Sequence, residues 1–165
     1  MADTEKPAVN FVNNNKELKF YKPTSSGNGA ASNWQLSLKS EDGQPRWFCF
    51  LNMAQQGGKN DKGNAIFDWE NKIIVKMESV DIGEMLAVIN GRKDKAGAKD
   101  GLFHKSPNGD TKIIKLSKLD RGYSLQINAQ SEDKKLTSIS HMLYDGEVEV
   151  LKVFFQAALC FLNHW

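Results

Sequence analysis

Apolar and polar positions alternate along this chain in two successive series, and each series closes on a segment with helical spacing. Lys16 to Lys22 reads as a short strand. Asn33 to Lys39 alternates cleanly, with Trp34, Leu36 and Leu38 on one face and Gln35, Ser37 and Lys39 on the other. The turn Glu41-Asp42-Gly43-Gln44 leads into a strand over Arg46 to Met53, a hairpin signature. After a polar loop from Gly57 to Asn64, a long strand is predicted over Ile66 to Met77. A helix over Val80 to Asn90 follows, with Ser79 as N-cap and Ile82, Met85, Leu86 and Ile89 on its apolar face.

A basic linker, Arg92 to Asp100, leads to the second series. Leu102-Phe103-His104, Thr111 to Lys118, Tyr123 to Ala129 and Leu136 to Met142 read as strands, with turns at Asn108-Gly109 and Leu119 to Gly122. The last helix begins near Gly146 and is apolar through a wide arc, so it belongs between sheets or in a subunit interface. The strand RWFCFLNM is also apolar on both faces. Trp47, Cys49, Leu51 and Met53 line one, Phe48 and Phe50 the other beside Arg46 and Asn52. One of those faces needs a second partner: a helix, another subunit or stacked bases.

At 165 residues, 40% hydrophobic and 25% charged, the chain is one ordinary globular domain. Residues 16–165 are expected to form it, with 1–15 as a flexible N-terminal arm. No apolar run approaches the roughly 20 residues of a membrane span, and the N-terminus lacks a secretory pattern. The expectation is a non-secreted protein, cytoplasmic or nucleoid-associated, or in the host cytoplasm if viral. Cys49 and Cys160 then read as two reduced core cysteines.

A net charge of +2 announces no partner by itself, but its distribution is uneven. From Arg92 to Lys135 there are eleven Lys and Arg against six Asp and Glu, whereas the last thirty residues are acidic. Signs of catalysis are few. Gly57-Gly58-Lys59 lacks the spacing of a phosphate loop, the histidines His104, His141 and His164 have no ligand spacing, and no serine elbow occurs. Asp68 and Glu70 share a face of the predicted strand, but Lys72 beside them points to surface pairing. Neither a cofactor nor a metal is expected.

What remains is the interleaving of aromatic and basic residues on strands, the chemistry that stacks bases and tracks phosphates in single-stranded nucleic acid. Lys39, Arg46, Lys72, Lys112, Lys115 and Lys118 are the candidate phosphate contacts. Phe48, Phe50 and Tyr123 are the candidate stacking rings, with Trp34 a weaker fourth because its place on the strand favours the core.

Several motifs carry a family resemblance. Phe67-Asp68-Trp69-Glu70-Asn71-Lys72 with Ser79 and Ile82-Gly83-Glu84-Met85, then Phe103-His104 with Pro107, Gly122-Tyr123-Ser124-Leu125, and the helix from Glu147 to Trp165 resemble the Whirly single-stranded-DNA-binding proteins, related in fold to positive cofactor four. The family's Lys-Gly-Lys-Ala-Ala-Leu strand has no recognisable copy, and KPTSSGNGAASNW stands there instead. The resemblance implies an α+β fold of two antiparallel four-stranded sheets, each followed by a helix (ββββα-ββββα). It also implies a non-enzymatic homo-oligomer, dimer or tetramer, that binds single-stranded DNA with little sequence preference in replication, recombination or repair. A transcription regulator of the same fold and a non-catalytic assembly protein are the alternatives, and RNA as a competing ligand is left open.

Overall fold

The computed structural model describes residues 15–165, so all of the expected N-terminal arm but Asn15 lies outside the described residues. The first series forms β1 (Lys16–Lys22), β2 (Ala30–Glu41), β3 (Gln44–Lys59), β4 (Ala65–Phe67), β5 (Ile73–Met77) and α1 (Ser79–Ile89). The second forms β6 (Leu102–Lys105), β7 (Thr111–Leu119), β8 (Gly122–Gln130), β9 (Leu136–Leu143) and α2 (Asp145–Asn163). All strand pairing is antiparallel, β1-β2-β3 with β4 and β5 both on the far edge of β3, and β6-β7-β8-β9 in the second sheet. The fold is therefore the two-sheet, two-helix arrangement expected, with the fourth position of the first sheet filled by two short strands.

That split corrects the long strand predicted over Ile66 to Met77. Phe67 pairs with Gln56 and Ile73 with Met53, so six steps on one strand face three on the other, and residues 68–72 loop out. Asp68 holds the loop by accepting from the Asn71 main-chain and side-chain amides at 3.2 and 2.8 Å. These bonds hold the Asp68 carboxyl below its ordinary value, and they take it off the strand face it was expected to share with Glu70. The expected polar loop is also shorter than predicted, because β3 runs on through Gly57-Gly58-Lys59 past an irregularity between Gln56 and Gly58.

The β2–β3 turn has Asp42 and Gly43 both at positive φ, 53° and 76°, the mirror-image turn whose twist suits a hairpin. At the other end of β2, the Gln56 side chain accepts from the amides of Thr24 and Gly29 and fastens the β1–β2 loop to β3. A Cβ on Gly29 would lie 2.3 Å from the Lys22 carbonyl oxygen, so that closure requires glycine. The N-cap of α1 is Glu78, one residue before the predicted Ser79, and its amide donates to Asp81 at 2.8 Å.

One core unites both halves. Trp34, Leu36, Leu51 and Met53 from the first sheet, Ile114, Leu116, Leu125 and Ile127 from the second, and Ile82, Met85, Leu151 and Phe155 from the helices are fully buried. Trp34 meets Phe155 edge-on at 5.0 Å, which places α2 against the inner face of the first sheet. Cys49 is buried there, and burial pushes its thiol up to about 12. Cys160 is exposed on α2 and is not the core cysteine expected.

Candidate nucleic-acid interface

The face of the first sheet turned away from α2 is built by alternation from four strands. Register places Tyr21, Lys19 and Glu17 of β1 beside Ala31, Asn33 and Gln35 of β2. These lie beside Ala54, Asn52 and Phe50 of β3, and then beside Ile74 and Lys76 of β5. The small residues Ala31, Asn33, Ser37, Asn52 and Ala54 are buried, so they form the floor of a trough whose rims are rings and lysines.

One end of the trough carries Phe48 and Phe50, both half-buried, with ring centroids 6.3 Å apart and planes inclined by 30°. The Lys39 ammonium lies 4.6 Å from the Phe50 centroid and Lys76 lies 4.9 Å from that of Phe48. Cations so placed over exposed rings contribute about 0.5–1 kcal/mol each. Arg46, beyond them, pairs with Glu41 at 2.9 Å on the surface. The other end lies roughly 13 Å away, four residues along β3. There Tyr21 reaches over Ala31 and Ala54 to Phe67 and Trp69, with centroids at 5.5 and 6.4 Å.

Between the two aromatic ends lies a polar cleft of about 260 Å³, lined by Glu17, Lys19, Asn33, Gln35, Asn52, Trp69 and Lys72. Lys19 bonds Glu17 at 2.6 Å. That contact lowers the Glu17 carboxyl and raises the Lys19 ammonium from their ordinary values. Lys72 donates to the Trp69 carbonyl at 3.1 Å and keeps its remaining donors.

Of the candidates read from sequence, Lys39, Arg46, Phe48, Phe50 and Lys72 thus converge on one face. Trp34 and Tyr123 do not offer rings to a ligand. Trp34 is fully buried, and Tyr123 is 8% exposed with its hydroxyl donating to the Ile89 carbonyl at 3.4 Å. The lysines of β7 also separate. Lys112 and Lys118 share the parity of the core residues Ile114 and Leu116, whereas Lys115 points the opposite way. Lys112 donates to the Ile74 carbonyl at 2.9 Å and ties the second sheet to the first. Lys115 lines a small cavity of about 90 Å³ with Lys95 and Lys99 of the linker. Sequence reading missed Lys76, Lys19 and Trp69 as members of the trough. Strict alternation through β1 and β5 was the available signal for the two lysines, whereas Trp69 sits on the loop between β4 and β5.

Among the described residues, no group of three or more His, Cys, Asp or Glu could hold a metal ion, and no helix is long and apolar enough to cross a membrane. No protein-family model matches the chain, and no curated protein matches it by sequence. Solved structures do match its shape. WHY1 of Arabidopsis thaliana has a TM-score of 0.70 at 18% identity, over 90% of this chain and 85% of that one. The plant transcriptional regulator PBF-2 has 0.69 at 18%, over 92% and 84%. WHY3 of Arabidopsis thaliana has 0.68 at 17%, over 91% and 89%. At these identities the likeness is one of fold, and the chain has the Whirly fold.

Proposed function

We propose that this protein is a non-catalytic binder of single-stranded DNA, largely indifferent to sequence, which protects or presents the strand in replication, recombination or repair. The observation that supports this reading best is the pair Phe48–Phe50 under Lys39 and Lys76. Rings half-open to solvent accept stacked bases at about 1–3 kcal/mol per base, and ammoniums at their faces are placed to follow phosphates. Such a surface ignores base identity because every base has a π-face. Duplex DNA, with its bases already stacked, does not satisfy it.

The protein acts as a homo-oligomer in this reading. Val150, Val153, Ala157 and Cys160 of α2 are exposed at helical spacing, an apolar stripe for a second subunit to cover. The likeness of fold to a plant transcriptional regulator keeps a second reading in view, in which the same surface engages melted promoter DNA.

The test is fluorescence anisotropy of a labelled oligothymidine over a salt series, with duplex and RNA competitors. Binding that weakens with a double-logarithmic salt slope of about −0.7 per phosphate contact is expected. Failure to bind at low salt would leave the assembly-protein reading.

A further inference from the structure

The floor of the cleft holds an atom that the fold itself does not satisfy. Asn33 is 8% exposed, and its Oδ1 is buried without a hydrogen-bond partner among the described residues. The side chain belongs to the outer face of the sheet, because Asn33 sits in register between Lys19 on β1 and Asn52 on β3. A buried acceptor left unpaired is costly, and such atoms mark places where something else supplies the donor.

The surroundings define that donor. Lys19 flanks the acceptor on one side, held by Glu17. Lys72 lines the cleft from beyond Asn52 on the other, held by the Trp69 carbonyl. The Asn52 amide between them is turned to the Asn33 main-chain carbonyl at 3.3 Å, Glu17 is turned to Lys19, and Gln35 lies further along beside Glu17. Lys19, Asn33 and Lys72 are left to present the order donor, acceptor, donor. Its complement is acceptor, donor, acceptor, and among the DNA bases only the thymine imide presents that edge, with N3–H between two carbonyl oxygens. Trp69 provides a wall for the ring, and 260 Å³ admits a pyrimidine.

We infer that this cleft is a thymine pocket, in which Asn33 Oδ1 accepts from N3–H while Lys19 and Lys72 donate to the flanking carbonyls. The inference rests on the single-strand-binding reading and adds one selective position to an otherwise tolerant surface. A strand stacked on Phe48 and Phe50 would reach the pocket along the same trough.

The experiment compares oligothymidine, oligodeoxycytidine and an oligothymidine built from N3-methylthymidine, by anisotropy at one salt concentration, on the full-length protein. Oligothymidine is expected to bind at least about tenfold more tightly than either, a difference of about 1.4 kcal/mol. Asn33→Ala is expected to abolish the gap between thymidine and its N3-methyl form. Because methylation is made on the ligand, the comparison stands even if that variant fails to fold. Equal affinity for all three strands would overturn the pocket and leave the stacking surface intact. Binding of none of them at low salt would instead remove the single-strand reading beneath it.

Discussion

Replacing Phe48 and Phe50 together by alanine is the most direct perturbation of the trough. Two stacked bases contribute about 2–6 kcal/mol at roughly 1–3 kcal/mol each. Against this stands the displacement of Lys39 and Lys76 from the rings, which lie 4.6 and 4.9 Å from the centroids and give up about 0.5–1 kcal/mol each when a base takes their place. Taking the middle of each range, the net loss expected is about 2.5 kcal/mol, an affinity reduction of about seventyfold. The assay is anisotropy with labelled oligothymidine, preceded by a thermal melt to establish that the variant is folded. Phe103→Ala is the control, since that ring is 63% exposed on the outer face of the other sheet and should leave affinity unchanged. A folded double variant whose Kd stays within twofold of the parent would refute the assignment of the strand to this face.

Three further outcomes follow from the geometry. Trp34→Ala should cost about 3–5 kcal/mol of stability by chemical denaturation, because the ring is wholly buried against Phe155; a loss confined to DNA affinity would contradict its place in the core. His141 is buried and its imidazole is lowered from 6.5 mainly by desolvation. The unfolded chain therefore takes up the proton first, and stability should fall as pH drops through about 6.5 toward the lower folded value. His141→Leu should flatten that part of the profile, and a parallel pH dependence in the variant would exclude the residue. Val153→Lys, on the exposed stripe of α2, should lower the mass measured by sedimentation and open Cys160 to thiol reagents while buried Cys49 stays silent. An unchanged mass would place the subunit contact elsewhere.

The strands of the second half were legible because each has one wet face. In β8, Tyr123, Leu125 and Ile127 alternate with Ser124, Gln126 and Asn128, and pairing only reinforces that pattern. The break between β4 and β5 was not read, although Asp68 and Asn71 are turn formers. Ile66, Phe67 and Trp69 made the stretch look continuous, and the loop is fixed by pairing to β3, which is not local in sequence. The trough was half legible for the same reason. Phe48 and Phe50 announced themselves by making a strand apolar on both sides, whereas Lys76 joins them only through the register of β5 on β3. Lys112 and Lys115 were grouped by proximity in sequence. Their parity on a two-residue repeat already placed them on opposite faces.

Residues 68–72 leave the sheet after Phe67, beside the irregularity between Gln56 and Gly58, and return at Ile73 into regular pairing with β3. Trp69 and Lys72 are thus carried on an excursion that the scaffold tolerates, while Asn33 and Lys19 are fixed in the ladder. The proposed pocket is in this way written in two stretches of different kind, its acceptor and one donor in the ladder and its wall and other donor on the loop. Exchange of the short loop is expected to change the wall and one flanking donor of the proposed pocket, while the acceptor that would read the base stays with the strands.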